Sequence, residues 1–268
     1  MSALALGLGL PAGAGAVRDP DAAAIMAAMA VPPGEVRAGQ VDRLVTALKG
    51  CGVWQKLDSL FVFAAHNEQA ARIDWKQPAR VAVAHGDPVF EPDRGWAFDG
   101  TAYVDTGFNP YMHGVNLTGT AGAHGVYESS DRAVSLNAYA ATSNSTRNIS
   151  MIPRNGNGFT QAALNHAGSA GAAPVSDSLG LVAYQRDGAV GQVFKRGALA
   201  STNTLTTAGS VPVDLSVYIG CRNADGIADN FRESAAALWF AGGVLSEGQH
   251  LGLENAVQCY MTDLGAAV

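Results

Sequence analysis

Between residues 81 and 240 the chain consists of short β-prone runs separated by clusters of Gly, Asn, Asp and Ser. Such runs, for example Gly122–Tyr127 and Leu179–Gln185, recur with turn signals at spacings of about 8–12 residues, which is typical of an all-β sandwich or closed barrel. A parallel α/β fold is disfavoured because no helical runs alternate with these strands. The sequence therefore predicts a mainly β domain.

The stretch from Gly95 to Phe108 gives the clearest local prediction. Trp96 and Phe98 alternate with small residues, which is the period of a strand with one buried face. The pair Asp99-Gly100 favours a tight turn, because Gly adopts positive φ freely and Asp tolerates it. A second β-prone run begins at Tyr103. These features predict a hairpin that carries its large aromatic side chains into a core between two sheets.

Helical patterns flank the β-rich region on both sides. Before it, apolar residues at helical spacing, bounded by Pro and Gly, predict helices over residues 20–31, 34–50, 53–65 and 68–75. After it, Ser246 and Gln249 have the spacing of a capping box, which predicts a C-terminal helix. With Pro78 as a boundary, we divide the chain into an apolar tail (1–18), a helical region (19–78) and a β-sandwich (79–268).

The tail begins with sixteen residues that are apolar and carry no charge. They lack the Lys or Arg that precedes the apolar core of a signal peptide, and they are fewer than the roughly 20 residues that span a bilayer. We therefore expect neither a signal peptide nor membrane insertion. A retained apolar tail favours association, so we interpret residues 1–18 as a flexible or docking tail.

Charge and cysteine content narrow the function classes. The formal net charge is −6 and the pI is about 5.4, whereas nucleic-acid binding requires a basic stripe. Nucleic acid is therefore not an expected partner. Cys51, Cys221 and Cys259 lie far apart without a C-x-x-C pair, and we interpret them as small buried hydrophobic residues of a protein made in a reducing cytosol, with a disulfide as the alternative.

The run Phe98-Asp-Gly-x-x-Tyr-Val-Asp-Thr-Gly107 resembles the opening strands of concanavalin A-like, laminin-G-like jelly-roll domains. Residues 52–58 and 70–78 resemble the helical lead-in that such domains have in structural proteins of tailed phages. Residues 218–223 and 245–260 fit the same pattern. The resemblance implies a concanavalin A-like jelly-roll β-sandwich, preceded by a short α-helical region and ending in a C-terminal helix.

Catalytic motifs are missing from the sequence. Jelly-roll glycosidases place carboxylates on one strand face as Glu-x-Asp-x-Glu, at the separation that glycoside hydrolysis needs. That spacing is absent, and the nearest pair, Asp229 and Glu233, lies in a predicted turn. The sequence also contains no H-E-x-x-H pair, G-x-S-x-G elbow or phosphate loop. We therefore expect no enzymatic activity, metal or cofactor.

Two polar stretches are candidates for carbohydrate binding. The first is a predicted loop and contains Arg222, Asn223, Asp225 and Asn230. The second combines Asn155, Asn157, Tyr139 and Arg147. Amide, carboxylate and guanidinium groups form the hydrogen bonds that sugar hydroxyls require, and Asp and Asn oxygens also suit Ca²⁺. The competing interpretation is that these Asn and Asp residues only form turns.

The resemblance implies a virion structural protein of a tailed phage or a phage-like particle, such as a gene transfer agent. Such a protein is made in the bacterial cytoplasm, contacts other virion proteins, and can display a jelly roll to host-surface polysaccharide. By analogy we expect a homo-oligomer, with a trimer first. Two alternatives stay open: a decoration or tail-assembly protein that binds only virion proteins, and a depolymerase of host capsule.

Overall fold

The computed structural model describes residues 17–143, 147–167, 170–205 and 211–268. Residues 1–16 of the predicted tail lie outside the described residues. The helices of the described part are α1 (Pro20–Ala27), α2 (Glu35–Gly50), α3 (Glu68–Ala71), α4 (Pro110–His113) and α5 (Glu247–Asp263). None of the described helices is long and apolar enough to cross a membrane.

The strands form two sheets. The first sheet has the spatial order β13 (Ala198–Thr204), β12 (Val190–Lys195), β11 (Gly180–Asp187), β6 (Ala121–Glu128), β17 (Glu233–Gly242), β4 (Gly95–Asp99) and β3 (Val89–Glu91), and β1 (Leu57–Val62) also pairs with β17. The second has the order β10 (Gly171–Pro174), β9 (Phe159–Leu164), β8 (Arg147–Ile152), β7 (Tyr139–Ser143), β14 (Tyr218–Ile219), β5 (Tyr103–Asp105) and β2 (Val83–His85). In addition, β15 (Arg222–Ala224) pairs in parallel with β7 and antiparallel with β16 (Ile227–Asp229). The predicted mainly β jelly-roll sandwich with flanking helices is confirmed.

Two apolar cores divide the molecule into three layers. One core lies between the sheets and contains Trp96, Val126 and Trp239. The other lies between the first sheet and the helices, and contains Leu44 and Val257. The first sheet is therefore covered on both faces, and its central strands are almost continuously buried, as expected for such a sheet. The second sheet has only one face on a core.

The helix ends follow the sequence signals. Asp19 caps α1, since its side chain accepts a hydrogen bond from the backbone N–H of Asp21 at 2.9 Å. At the start of α5, the Ser246 hydroxyl accepts from the N–H of Gln249, and the Gln249 amide oxygen accepts from the N–H of Ser246. These contacts satisfy N–H groups that a helix leaves unpaired at its first turn. The predicted C-terminal capping box is confirmed.

The predicted helix over residues 53–65 is wrong. A single 3-10 turn at Trp54–Lys56 leads into strand β1, which pairs with β17. The strand is buried on both faces: Leu60 belongs to the core beneath the helices and Phe61 to the core between the sheets. A run buried on both sides lacks the alternation that identifies a strand. One strand of the sandwich therefore lies inside the region assigned to helices.

The predicted hairpin at Asp99-Gly100 is also wrong. Strand β4 pairs with β3 and β17 in the first sheet, whereas β5 pairs with β2 and β14 in the second. The turn is present, with Gly100 at φ 88°, but it connects the two sheets. A turn signal specifies a change of direction and not the pairing partner. Trp96 and Phe98 do enter the core between the sheets, as predicted.

Candidate functional site

Among the described residues, neither apolar core covers the outer face of the second sheet. Its strands alternate between buried and exposed positions, as in β10, because only one face packs on a core. Several apolar side chains on this face are well exposed, including Val83 (50% exposed), Phe159 (42%) and Ile227 (70%). The face therefore offers surface for a ligand or partner.

Aromatic rings are grouped on this face. Tyr103 on β5 stacks between His85 of β2 and Tyr218 of β14, with ring centroids 4.6 Å apart in both pairs. Phe231 meets the Tyr103 ring edge-on at 6.0 Å. His85 is exposed and the other rings are half-buried. We call His85, Tyr103, Tyr218 and Phe231 the aromatic strip.

Charged and polar groups lie beside the aromatic strip. Arg222 and Tyr218 both align with Ala140 of β7, which places Arg222 close to Tyr218 in the sheet. The Arg222 guanidinium donates to both carboxylate oxygens of Asp229, at 2.7 Å and 2.5 Å. This pairing raises the pKa of Arg222, so the charge persists at neutral pH. Bidentate pairing fixes the plane of the guanidinium.

Asp105 lies at the opposite side of Tyr218. Its carboxylate accepts hydrogen bonds from the Ser216 hydroxyl at 2.7 Å and from the N–H of Gly107 at 2.8 Å. Burial, and then the negative charge of Asp105, raise the pKa of Tyr218 to about 12. The phenol is therefore neutral and can donate a hydrogen bond at neutral pH.

The first predicted loop is a hairpin made of β15 and β16. Its turn holds Asp225 at φ 50° and Gly226 at φ 90°, which suits a two-residue hairpin turn. Asn223 is only 2% exposed: it donates to the Ser216 carbonyl and accepts from the N–H of Gly226, so it stabilises the turn. The oxygen of the exposed Asn230 side chain lies 2.9 Å from Nη2 of Arg222 in the orientation that satisfies both groups. Of this group, Arg222 and Asn230 lie beside the strip.

The structure does not bring the second predicted group together. Tyr139 is fully buried and packs on Trp239 in the core between the sheets. Asn155 is 5% exposed and accepts from the N–H groups of Asn157 and Phe159, so it forms a turn after β8. Arg147 begins β8 and therefore lies at the other end of the sheet. These residues share no surface on which a sugar could contact all of them.

Sequence reasoning missed the aromatic strip. In β5 the buried residue is Val104, and in β14 it is Ile219. Strand alternation then places Tyr103 and Tyr218 on the outer face. The alternation that places Tyr103 and Tyr218 on the outer face was therefore visible in the local sequence. Only the pairing of β2, β5 and β14 brings the rings into contact.

The carboxylates singled out in the sequence lie in strands and not in a turn. Asp229 is in β16, where it is paired with Arg222, and Glu233 begins β17, 4.0 Å from the Arg132 guanidinium. Within the described ranges, no three His, Cys, Asp or Glu side chains come close enough to share a metal ion. The Asp229 carboxylate on β16 is therefore already paired with the guanidinium of Arg222.

No protein-family model matches the sequence, and no curated protein sequence matches it significantly. Solved structures do match. A mutant of Trypanosoma rangeli sialidase with trans-sialidase activity is 14% identical, with a TM-score of 0.52 over 84% of this chain and 39% of the sialidase chain. The receptor-binding domain of botulinum neurotoxin C/D mosaic serotype is 11% identical, with a TM-score of 0.51 over 75% of this chain and 51% of the toxin chain.

A further similarity is to domain 4 of an extracellular GH43 arabinanase from Geobacillus stearothermophilus, solved with arabinotriose. It is 13% identical, with a TM-score of 0.45 over 74% of this chain and 98% of that domain. The chain thus spans 39% of the sialidase chain and 51% of the toxin chain. Similarity to the sialidase and the toxin domain shows the fold, a β-sandwich.

Proposed function

We propose that the protein binds glycans through the aromatic strip. The observation that carries this proposal is the continuous stack of His85, Tyr103 and Tyr218 on an open sheet face, next to the fixed Arg222–Asp229 pair. A sugar ring presents C–H groups that pack on aromatic rings, and hydroxyls that require planar polar partners. Because His85 and Tyr218 cover both faces of the Tyr103 ring, a sugar would pack along the ring edges and at the ends of the stack, and the flanking groups would supply the polar partners.

The proposal concerns binding without hydrolysis. Asp105 and Asp229 are the carboxylates beside the strip, and each already accepts hydrogen bonds from neighbouring groups. A glycosidase needs one carboxyl as an acid and a second as a base or nucleophile. In these contacts, the two carboxylates hold neighbouring side chains in place and can orient a bound ligand. Capsule depolymerisation is therefore an alternative outcome of the experiment below.

The proposal extends to the biological setting. On the basis of the sequence resemblance, the protein is a homo-oligomeric virion component of a tailed phage or phage-like particle, made in the bacterial cytoplasm, and its ligand is host-surface polysaccharide. The helices cover the first sheet and the strip lies on the second. These opposite faces allow one side to contact virion proteins while the other contacts the host.

A second candidate, a decoration or tail-assembly role, is favoured by the exposed apolar side chains on the same face. Val83, Phe159 and Ile227 are spread across the second sheet, and exposed apolar patches mark protein interfaces as well as ligand sites. In that case the face would contact a neighbouring virion protein, and glycan would not bind.

We expect Tyr218→Ala to weaken glycan binding about tenfold, because an aromatic contact of this kind contributes roughly 1 kcal/mol or more. Tyr218→Phe keeps the ring and should retain most of the affinity. Binding is measured on intact host cells and on cells stripped of surface polysaccharide, and the ligand class is identified on a glycan array.

Phe159→Ala is the matched control, since Phe159 is an exposed aromatic residue on the same sheet face but outside the strip. It should bind as the unaltered protein does. Equal binding to stripped and intact cells, or equal loss in Phe159→Ala and Tyr218→Ala, would exclude the strip as the site and favour the virion-protein interface. Release of reducing ends from purified capsule would instead indicate a depolymerase.

A further inference from the structure

A polar pocket lies at the end of strand β5, beyond the aromatic strip. Its volume is about 540 Å³, and it is lined by Gln77, Ala79, Arg80, Gly107 and His113. Gly107 comes four residues after Tyr103 of the strip, so the pocket is no more than about 13 Å from that residue along the chain direction. Gln77, Gly107 and His113 are exposed. The pocket is therefore open to solvent at the end of a strand that carries the strip.

Arg80 is the cation of this pocket, and its guanidinium is held in place. Nη1 donates to Oδ2 of the buried Asp74 at 2.6 Å, and the guanidinium carbon lies 5.2 Å from the centroid of the Phe108 ring. The Arg80 side chain is 14% exposed. Within the described part of the chain, Nε and Nη2 make no hydrogen bond. Because a guanidinium presents its N–H groups as a fork, these two nitrogens can donate to an oxyanion.

His113 provides a second donor. Its Nδ1 accepts a hydrogen bond from the backbone N–H of Asn109 at 3.0 Å, so the proton of the neutral ring is on Nε2. Burial, and then the positive charge of Arg80, lower the pKa of His113 against a smaller opposing effect of Asp74. The ring is therefore neutral at neutral pH. No described residue accepts a hydrogen bond from Nε2, so this N–H can donate to a ligand.

The charges that line or contact the pocket favour a ligand with a single negative charge. Asp74 balances the charge of Arg80, and His113 is neutral. The site therefore has no surplus of positive charge to offset a dianion. A carboxylate is planar, carries one charge and can accept hydrogen bonds at both oxygens. These properties match a guanidinium fork and one imidazole N–H.

Two further carboxylates lie near the pocket in the chain. Asp105 accepts a hydrogen bond from the N–H of Gly107 at 2.8 Å, and Asp214 accepts one from the side-chain amide of Asn109 at 2.8 Å. Neither residue lines the pocket. Arg80 and Asp74 are the charged groups that act on the His113 ring. The donors of Arg80 and His113 are therefore the groups that a ligand in the pocket would meet.

We propose that this pocket binds the carboxylate of an acidic sugar, with Arg80 and Nε2 of His113 as donors and the Gln77 amide at the rim. The inference rests on the proposed glycan binding, which it narrows to polysaccharides that contain carboxylate-bearing units such as uronic acids. The aromatic strip would contact the sugar chain, and the pocket would fix an acidic unit of the same chain.

Gln77 provides the test, because it is exposed and lines the pocket. Its side chain makes no hydrogen bond to another described residue. Galacturonate is titrated into the full-length, ¹⁵N-labelled protein, and the backbone amide of Gly107 reports binding by its NMR shift. Gln77→Glu should weaken galacturonate binding roughly fivefold, because like charges about 4 Å apart repel even in water. Gln77→Lys should strengthen binding by a similar factor.

Gln161→Glu is the matched control, since it makes the same charge change on the same sheet. Gln161 is half-buried on β9, four strands from β5. Four strand spacings are about 19 Å, which exceeds the screening length of about 8 Å at physiological ionic strength. Gln161→Glu should therefore bind galacturonate as the unaltered protein does. An equal loss in Gln161→Glu and Gln77→Glu would overturn the pocket as the site.

Neutral and phosphorylated sugars test the ligand class. Galactose lacks the carboxylate and should not shift the Gly107 amide at concentrations where galacturonate does. Glucose 6-phosphate should bind more weakly than galacturonate. Equal shifts from galactose and galacturonate, no shift with galacturonate, or tighter binding of glucose 6-phosphate would each overturn the proposal.

Host-surface polysaccharide separates this inference from the proposed function. Reduction of its carboxyl groups to alcohols should weaken binding about tenfold, because hydrogen bonds to a charged group are lost. Full binding of the reduced polysaccharide that is still weakened by Tyr218→Ala would overturn the acidic-sugar inference and retain the aromatic strip. Binding of galacturonate without any binding of the polysaccharide would support the pocket and overturn the strip.

Discussion

Arg232→Met is expected to lower the free energy of unfolding by about 3–5 kcal/mol, the usual cost of removing one partner of a buried ion pair. Arg232 and Glu128 are both fully buried in the sandwich, with Nη2 and Oε2 3.5 Å apart. Among the described residues, no group donates a hydrogen bond to the Glu128 carboxylate. Without Arg232, that carboxylate would be a buried charge with no ion-pair partner, and Lys195 would be left as the more weakly interacting cation.

The double variant Glu128→Leu/Arg232→Met separates two effects on the free energy of unfolding: the cost of leaving one buried charge unpaired, and the net contribution of the intact ion pair. Replacing a buried pair by apolar residues is often neutral or stabilising, so the double variant should be about as stable as the unaltered protein or more so. The burial of Glu128 supports this expectation. It raises the pKa of the carboxyl even with Arg232 beside it, which shows that the ion pair does not fully compensate the loss of hydration.

Urea unfolding followed by tryptophan fluorescence measures these differences. The control is Arg154→Met, which breaks an ion pair of 2.8 Å with the partly exposed Asp131 and should cost no more than about 1 kcal/mol. If the double variant were as unstable as Arg232→Met, the loss would come from packing and not from the stranded charge. The Arg232→Met defect should also shrink as the pH falls, because burial raises the pKa of the Glu128 carboxyl and protonation removes the unpaired charge.

The protein should lose stability between pH 6.5 and pH 4 because two histidines are buried in the neutral form. His124 and His250 are at most 1% exposed, and burial lowers the pKa of each to about 3. Above pH 6.5 both are neutral in the folded and the unfolded chain, so they have no effect. Below it, the unfolded chain binds protons that the folded chain cannot, and stability falls as pH falls.

Each histidine contributes a slope of roughly 1.4 kcal/mol per pH unit within this window. His250 donates to the Gln185 amide oxygen at 3.1 Å and stacks on Phe194 with centroids 3.6 Å apart. His250→Gln retains a donor but cannot titrate. His250→Gln should therefore remove about half of the histidine-dependent slope of stability against pH. The free energy of unfolding is measured by urea unfolding at pH values from 4 to 7.5.

Carboxyl groups with a raised pKa, such as Glu128, contribute the opposite slope. The comparison of His250→Gln with the unaltered protein therefore isolates the histidine. The two proteins should show parallel stability profiles above pH 7 and diverge below it. Profiles that stay parallel down to pH 4 would mean that His250 is protonated in the folded protein.

The sequence alone predicted those features that depend on neighbouring residues. The cap at Asp19, the capping box at Ser246 and the alternation that buries Trp96 and Phe98 are all local. Each needs only side-chain chemistry and the period of a helix or strand. The β-sandwich class followed from the many short runs and their turns.

The site residues were predicted less well, because polar composition does not reveal what a side chain already contacts. Asn223 and Asn155 have the chemistry of sugar ligands, but they use it to hold turns. Tyr139 looked available, but it faces the core. The glycan-binding role of Arg222 and Asn230 stays a prediction.

Tertiary pairing alone decided the rest. Strand β1 lacks a visible period because it is covered on both faces, and the Asp99-Gly100 turn connects sheets because β4 and β5 find different partners. The aromatic strip exists because the chain places residues 85, 103 and 218 on neighbouring strands. Local sequence determines which face a side chain occupies, whereas contacts between distant segments are selected by the burial of the whole core.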